Sequence, residues 1–312
     1  MKQRRIGNDG ELAVSVLCHG TMHYGSRDDE ATSYRMLDRY IDGGGNFLDT
    51  ANGYAAWVPG FKGGESEALL GKWMKDRGNR DQLIIATKVG FGYQDVPTSL
   101  KAGIIETEVE KSLKRLGIDT IDLYYWHCDH RSTPLEESLS AMDRLVSSGK
   151  VRCIGASNIK AWRLAEARAV SIRNNLVRHA VVQQRFTYLR PKVNADFSHQ
   201  TSTNEDLLEY CARYDLPLVA YSPLLSGAYM REDRPLPPQY RHADSDARMG
   251  ALRSVASETG ATLNQVILAW MIRQGVIPIF GASRDEQMAE NLEAAALALT
   301  DEQMARLTDA GA

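Results

Sequence analysis

A closed (β/α)8 barrel, the TIM barrel with parallel strands and long loops at its C-terminal face, is the fold class that this sequence predicts, on three observations. Short apolar runs alternate with longer amphipathic stretches along the chain, a pattern that argues for a parallel sheet buried under helices. Eight apolar runs can be counted, and at about 35 residues per βα unit eight units account for most of the 312 residues. That number suits a closed barrel, although eight runs also occur in some open-sheet enzymes. The third observation separates the two. The open dinucleotide fold requires G-x-G-x-x-G after its first strand, whereas the first run here continues as HGTMHYG, without that spacing. The Gly43–Gly45 triplet precedes a run instead of following one, so it reads as a helix C-cap and turn.

The strand-like runs, in order, are AVSVLC (13–18), NFLD (46–49), LIIATK (83–88), IDLYYW (121–126), VRCIGAS (151–157), AVVQQ (180–184), LPLVAYS (216–222) and VIPIFG (276–281). Between them EATSYRMLDRYIDGG, ESEALLGKWMKDRG, GIIETEVEKSLKRLG, PLEESLSAMDRLVSSG and LNQVILAWMIRQG carry apolar residues at three- and four-residue spacing, the signature of a helix with one buried face. Several of these end at glycine, the residue favoured just past a helix C-terminus. The segment 223–246 is rich in proline and charge and too long for a plain βα connection, which suits a functional lid. A linker would need a core on each side, and too little chain follows it for a second one. Residues 1–312 are therefore expected to form one barrel domain, with 223–246 as a long loop over its mouth.

With 43% hydrophobic and 25% charged residues, the chain can bury a full core. A formal net charge of -3 with interleaved signs excludes the basic face of a nucleic-acid binder. Cys18, Cys128, Cys153 and Cys211 lie far apart with no C-x-x-C pair, which suggests neither a disulfide framework nor a structural zinc site. The N-terminal stretch lacks a signal-like apolar core, and no apolar run approaches a membrane span. These features lead us to expect a soluble, cytoplasmic protein.

A barrel places the polar residues at strand C-termini around one mouth, where this fold does its chemistry. Asp49, Lys88, His127, Ser157, Asn158, Gln183 and Tyr221 end or immediately follow successive runs, so they should converge. Each has an ordinary reading: Asp49 as a cap or turn residue, His127 as a satisfied core histidine, Tyr54 as rim packing. Lys88, directly after IIAT, is harder to dismiss, because lysine is almost never buried without a partner. One mechanism uses all four: proton donation to a carbonyl oxygen as hydride reaches its carbon. A phenol is a poor acid at neutral pH, and an adjacent ammonium lowers its pKa. Asp49 would keep Lys88 charged, and His127 would position the carbonyl or share in the proton transfer.

The motifs HGTMHYG, DTANGY, GGESEALLG, ATK, LYYWHCD, IGASN, VVQ, AYSPLLSG and GASRDEQMAEN together resemble the aldo-keto reductase superfamily, in its order and over nearly the whole chain. The resemblance implies a barrel that binds NADP(H) in preference to NAD(H) without a Rossmann motif, and a catalytic tetrad at Asp49, Tyr54, Lys88 and His127. It further implies cofactor contacts from Gly20, Thr21, Met22 and Asp49. Ser157, Asn158 and Gln183 would hold the nicotinamide amide, and Tyr221 would stack on its ring. Ser222, Leu224 and Ser226 would cover the pyrophosphate. Gly281, Ser283, Arg284, Gln287, Glu290 and Asn291 would meet the adenosine and its 2′-phosphate at a helix N-terminus suited to anions; arginine fits a phosphate by charge and fork geometry. Against this, Ser283 could be only an N-cap, and Arg284 is shifted from the place where many family members carry their basic residue.

Where the family continues with glycine after the tyrosine, this chain has AAWVPGFKGG. Trp57 and Phe61 there could wall a substrate pocket or anchor an exposed loop, and Trp126 and Asp129 flank the histidine as possible substrate neighbours. Such walls suit a small-molecule aldehyde, cyclic ketone or sugar-type carbonyl, or the matching alcohol. Two other functions compete. A metal-dependent amidohydrolase-type barrel could draw on His19, His23, His127 and His130, but it places H-x-H at its first strand and leaves Lys88 unexplained; no metal is expected. A cofactor-sensing interaction protein of the same fold, like potassium-channel β subunits, would not need an intact tetrad.

Overall fold

The computed structural model describes residues 1–311. Its chain opens with an antiparallel hairpin, β1 (Gln3–Ile6) against β2 (Leu12–Ser15). Eight parallel strands then close a barrel: β3 (Cys18–Gly20), β4 (Phe47–Asp49), β5 (Ile84–Val89), β6 (Ile121–Trp126), β7 (Val151–Ser157), β8 (His179–Arg185), β9 (Leu218–Tyr221) and β10 (Ile277–Phe280), with β10 returning to pair β3. The predicted (β/α)8 class is what the chain adopts.

The first apolar run departs from expectation. AVSVLC is not one strand: Ala13–Ser15 belongs to the hairpin, and the barrel strand begins only at Cys18. The break is held by side chains, since Ser15 Oγ donates to the carbonyl of Leu17 and shares a hydrogen bond of 2.8 Å with the Tyr40 hydroxyl. The hairpin plugs the bottom of the barrel. Its Ile6, Leu12 and Val14 pack with Phe47, Ile84, Leu123 and Ile277 in one buried cluster, which seals the end opposite the mouth.

Strand alternation divides every wall residue between two layers. In β6, Leu123 and Tyr125 join the interior cluster, while Tyr124 and Trp126 join the larger core beneath the helices. Gly20 shows how tightly the strands meet at the mouth: a Cβ there would lie 2.8 Å from Ile279 Cγ2, so a side chain at this position would force Ile279 to shift.

The outer layer comprises α1 (Glu30–Asp42), α2 (Glu65–Arg77), α3 (Ala102–Leu116), α4 (Leu135–Ser147), α5 (Ala161–Asn174), α6 (Glu205–Arg213), α7 (Ala243–Thr259), α8 (Leu263–Arg273), α9 (Asp285–Glu293) and α10 (Asp301–Asp309). Their ends follow local chemistry. Asp29 caps α1 by accepting from Thr32 N, Thr262 and Gln265 form a reciprocal capping box on α8, and α2 and α3 stop at the left-handed glycines Gly78 and Gly117. The 223–246 loop ends early, because Ala243 to Asp246 already form the first turn of α7. Asp244 and Asp246, read as loop charge, sit where a helix N-terminus favours acids. No described helix is long and apolar enough to cross a membrane.

Two histidines sealed in this core predict acid lability. Burial pushes both His19 and His179 down to about 3 from an ordinary value near 6.5. Unfolding therefore releases sites that take up protons: the stability from keeping these rings neutral is complete above about pH 6.5 and is lost as pH falls toward 3. The unfolding midpoint should drop across that window, and more gently in His179→Gln. An equal slope in the variant would remove His179 as a contributor.

Candidate active site

Barrel register brings the four groups together at the mouth. Asp49 closes β4 opposite Ala86 of β5, and Lys88 lies two residues further along β5, opposite Tyr125. Both side chains are almost fully buried, and Lys88 Nζ stands 2.5 Å from Asp49 Oδ1. The ammonium also donates to the Thr50 carbonyl at 2.6 Å and to the Tyr54 hydroxyl oxygen at 2.9 Å. Tyr54 reaches it from the turn after β4, a turn that carries Ala55 at φ 78, in the left-handed region that costs a side-chain-bearing residue strain. The Tyr54 hydroxyl donates to Asp49 Oδ1 over a long 3.4 Å. The His127 ring stands edge-on to the Tyr54 ring, centroids 6.0 Å apart, and its backbone N–H is fixed to the Val89 carbonyl at 2.7 Å.

The electrostatics differ from the pairwise expectation. Burial raises the Tyr54 phenol well above its ordinary value, and the Asp49 carboxylate pushes the same way. The phenol is therefore firmly protonated, the state in which a general acid must begin. Burial lowers Lys88, with Asp49 opposing that loss of charge. His127 is held well below the usual histidine range by burial first, then by the charge of Lys88 and by His199. At neutral pH it is a neutral ring.

Several residues expected around a cofactor already have partners. Gln183 Nε2 donates to Asp49 Oδ2 at 2.7 Å. Asn158, itself at φ 53, donates to the His127 carbonyl and Ser157 Oγ, and its Oδ1 accepts from the Tyr221 hydroxyl at 2.7 Å and Thr201 N at 3.0 Å. Thr21 is buried, with its hydroxyl donating to the Asp49 carbonyl and paired with Ser66, while Met22 is exposed. After β9, Ser222, Leu225 and Ser226 all adopt positive φ, a run of strain of the kind that concentrates at ligand clamps. Leu224 and Gly281 lie along the same rim.

At the N-terminus of α9, Arg284 is exposed, and no side chain caps the helix. Among the described residues its guanidinium has no acidic partner. Ser283 donates to Asp28 Oδ2 at 3.0 Å, and its backbone N–H donates to Gln287 Oε1. Glu290 accepts from Thr262 at 2.6 Å, and Asn291 is buried with Oδ1 lacking a partner. Free helix N–H groups, an unpaired guanidinium and an orphaned amide oxygen fit a phosphorylated nucleoside; the Asp28 carboxylate beside Ser283 opposes a phosphate.

Trp126 must be corrected as a substrate neighbour. It is 1% exposed and turned toward the helices, edge-on to His179 with centroids 4.3 Å apart. Strand parity explains this: His127 and Tyr125 point inward, so Trp126 points outward. Trp57, by contrast, is half-exposed and edge-on to Tyr54 at 6.0 Å. Sequence reasoning missed Phe91 and His199: Phe91 packs against His127 at 4.6 Å and against His199 at 5.0 Å. Of the histidines that the metal reading draws on, His19 is buried against Tyr40 and Phe280 and bonded to the Tyr24 hydroxyl. Among the described residues no group of three or more His, Cys, Asp or Glu is placed to hold an ion.

Comparison with known proteins places the chain in a family. The model of the Aldo/keto reductase family matches residues 16–312. Norsolorinic acid reductase of Aspergillus flavus is 30% identical over an alignment covering 98% of this chain and 80% of that protein. Aldo-keto reductase yakc [NADP(+)] of Schizosaccharomyces pombe is 31% identical, covering 98% and 90%. The uncharacterized oxidoreductase YrpG of Bacillus subtilis is 31% identical, covering 99% and 95%.

Proposed function

The chain belongs to the aldo/keto reductase family and is an oxidoreductase, and from that premise we propose that it is an NADPH-dependent carbonyl reductase, reversible toward alcohol oxidation, with Tyr54 as general acid or base. The observation that carries the reading is the Tyr54 hydroxyl: it accepts from a buried Lys88 at 2.9 Å while its own proton is donated only over a long 3.4 Å to Asp49 Oδ1. NADPH, when bound, supplies hydride from its nicotinamide. As the carbonyl carbon gains that hydride and its C=O π pair moves to oxygen, the Tyr54 proton passes to the oxygen and the alcohol forms. Lys88 stabilises the phenolate left behind, and Asp49 keeps Lys88 charged and aimed. His127, a neutral ring, orients the carbonyl. In the oxidative direction the phenolate takes the alcohol proton back.

Ser157, Asn158 and Gln183 would exchange present partners for the nicotinamide amide, with Tyr221 beneath its ring. Ser222, Leu224 and Ser226, on the loop of the one barrel domain, would cover the pyrophosphate. Trp57 and Phe91 offer aromatic walls for an aldehyde, a ring ketone or an oxidised sugar. A panel of such compounds, followed by NADPH absorbance, tests the reading; no turnover with any of them would count against it.

Cofactor choice rests on two opposed charges. Arg284→Ala should weaken NADPH binding about tenfold and leave NADH unchanged, the scale of one partly solvated charge-assisted contact. Asp28→Asn should strengthen NADPH selectively. Equal effects of Arg284→Ala on both cofactors would undo the 2′-phosphate assignment.

A further inference from the structure

A buried carboxylate behind the tyrosine's turn has no part in the proton transfer. Glu108 of α3 is 1% exposed. Its Oε2 accepts from Asn52 Nδ2 at 2.8 Å and from the Tyr93 hydroxyl at 2.6 Å, and its Oε1 from Lys111 at 2.7 Å. Asn52 lies two residues before Tyr54, and Tyr93 two residues after Phe91, whose ring walls His127. One oxygen thus ties the loop that carries the acid to the loop that carries the wall.

The surroundings show that the tie restrains something. Ala55, next to Tyr54, is at φ 78, a conformation that persists only where neighbours enforce it. Asn52 keeps its amide on Glu108 although its Oδ1 is then buried without a partner, a cost that an apolar residue would avoid. The Tyr93 ring closes over the same turn: a Cβ on Gly53 would meet it at 3.6 Å, and one on Gly63 at 2.7 Å. Burial acts to raise the Glu108 carboxyl, but hydrogen bonds from Lys111, Tyr93 and Asn52 more than offset it and hold the group below its ordinary value. The acceptor is therefore a permanent carboxylate.

We propose that Glu108 is a positioning residue that acts through two arms: Asn52 sets the reach of the Tyr54 phenol, and Tyr93 sets the Phe91 wall. The proposal rests on the reading of Tyr54 as the acid. A shift of about 1 Å at a reacting group can cost as much as 100-fold in rate, so each arm has its own kinetic signature. The Asn52 arm governs kcat; the Tyr93 arm governs KM for the carbonyl.

The test compares Asn52→Ala, Tyr93→Phe, Glu108→Leu, Glu108→Gln and Tyr54→Phe in full-length protein, with kcat, carbonyl KM, NADPH Kd and Tm measured for each. Asn52→Ala should lose about tenfold or more in kcat with NADPH Kd within about twofold, and Tyr93→Phe should raise KM about fivefold with kcat nearly unchanged. Glu108→Leu should show both effects. Glu108→Gln, which keeps an oxygen acceptor, should restore most of the activity. If Asn52→Ala and Tyr93→Phe, both folded, keep wild-type kcat and KM while Tyr54→Phe is inactive, the positioning role of Glu108 is wrong and the acid assignment stands. If Tyr54→Phe is itself active, the parent reading fails. Should Glu108→Leu not fold, the single-arm variants decide alone.

Discussion

Tyr54→Phe is expected to lower kcat by about 100- to 10,000-fold, the usual contribution of a positioned acid, and to leave NADPH affinity and the unfolding midpoint nearly unchanged. The substitution removes one oxygen from a ring whose packing against Trp57 and His127 stays in place. Lys88 loses one acceptor but keeps Asp49 and the Thr50 carbonyl, so no buried charge is stranded. Turnover therefore falls without a folding defect. Single-turnover absorbance and a cofactor titration separate the two quantities, and unchanged turnover would remove the proposed acid.

Lys88→Met should fail in two ways at once. Turnover falls because the phenolate loses its counter-charge, and stability falls because Asp49, 2% exposed, is left with only the Gln183 amide at 2.7 Å and the distant phenol. Stranding one member of a buried pair typically costs about 3–5 kcal/mol, which at this chain length corresponds to a fall of roughly 5–8 °C in Tm. The double variant Asp49→Asn with Lys88→Met should recover much of that Tm and none of the turnover, because it deletes both charges and leaves the acid unassisted. Recovery of turnover in the double variant would show that the lysine serves only to neutralise Asp49. Calorimetry and the turnover assay on the same preparations give both readings.

Much of the site could be read from sequence because a barrel converts strand ends into neighbours. Asp49, Lys88, His127 and Gln183 each close or follow an apolar run, and register alone places them at one rim. Parity along IDLYYW was equally available: if His127 faces inward, Trp126 cannot. The hairpin left a trace as well, in Asp9-Gly10 between short runs, a turn signature that adjoins β2. Other features had no local signal. Phe91 and His199 come from loops 108 positions apart in the chain and meet only through the fold. For Tyr54 a pairwise argument weighs Lys88 but not burial, and burial is the larger influence. Gln183 is similar: its residue type suits an amide ligand, yet the fold already pairs it with Asp49.

In the proposed mechanism Asp49, Tyr54, Lys88 and His127 surround a carbonyl that receives hydride beside a bound nicotinamide. The most direct measurement is a single turnover with NADPH deuterated on one face of its nicotinamide C4, followed by mass analysis of the alcohol. Deuterium on the carbinol carbon from one face only, with transfer abolished in Tyr54→Phe, is the result predicted. Alcohol formed without label from either face, or equal transfer in Tyr54→Phe, would contradict it.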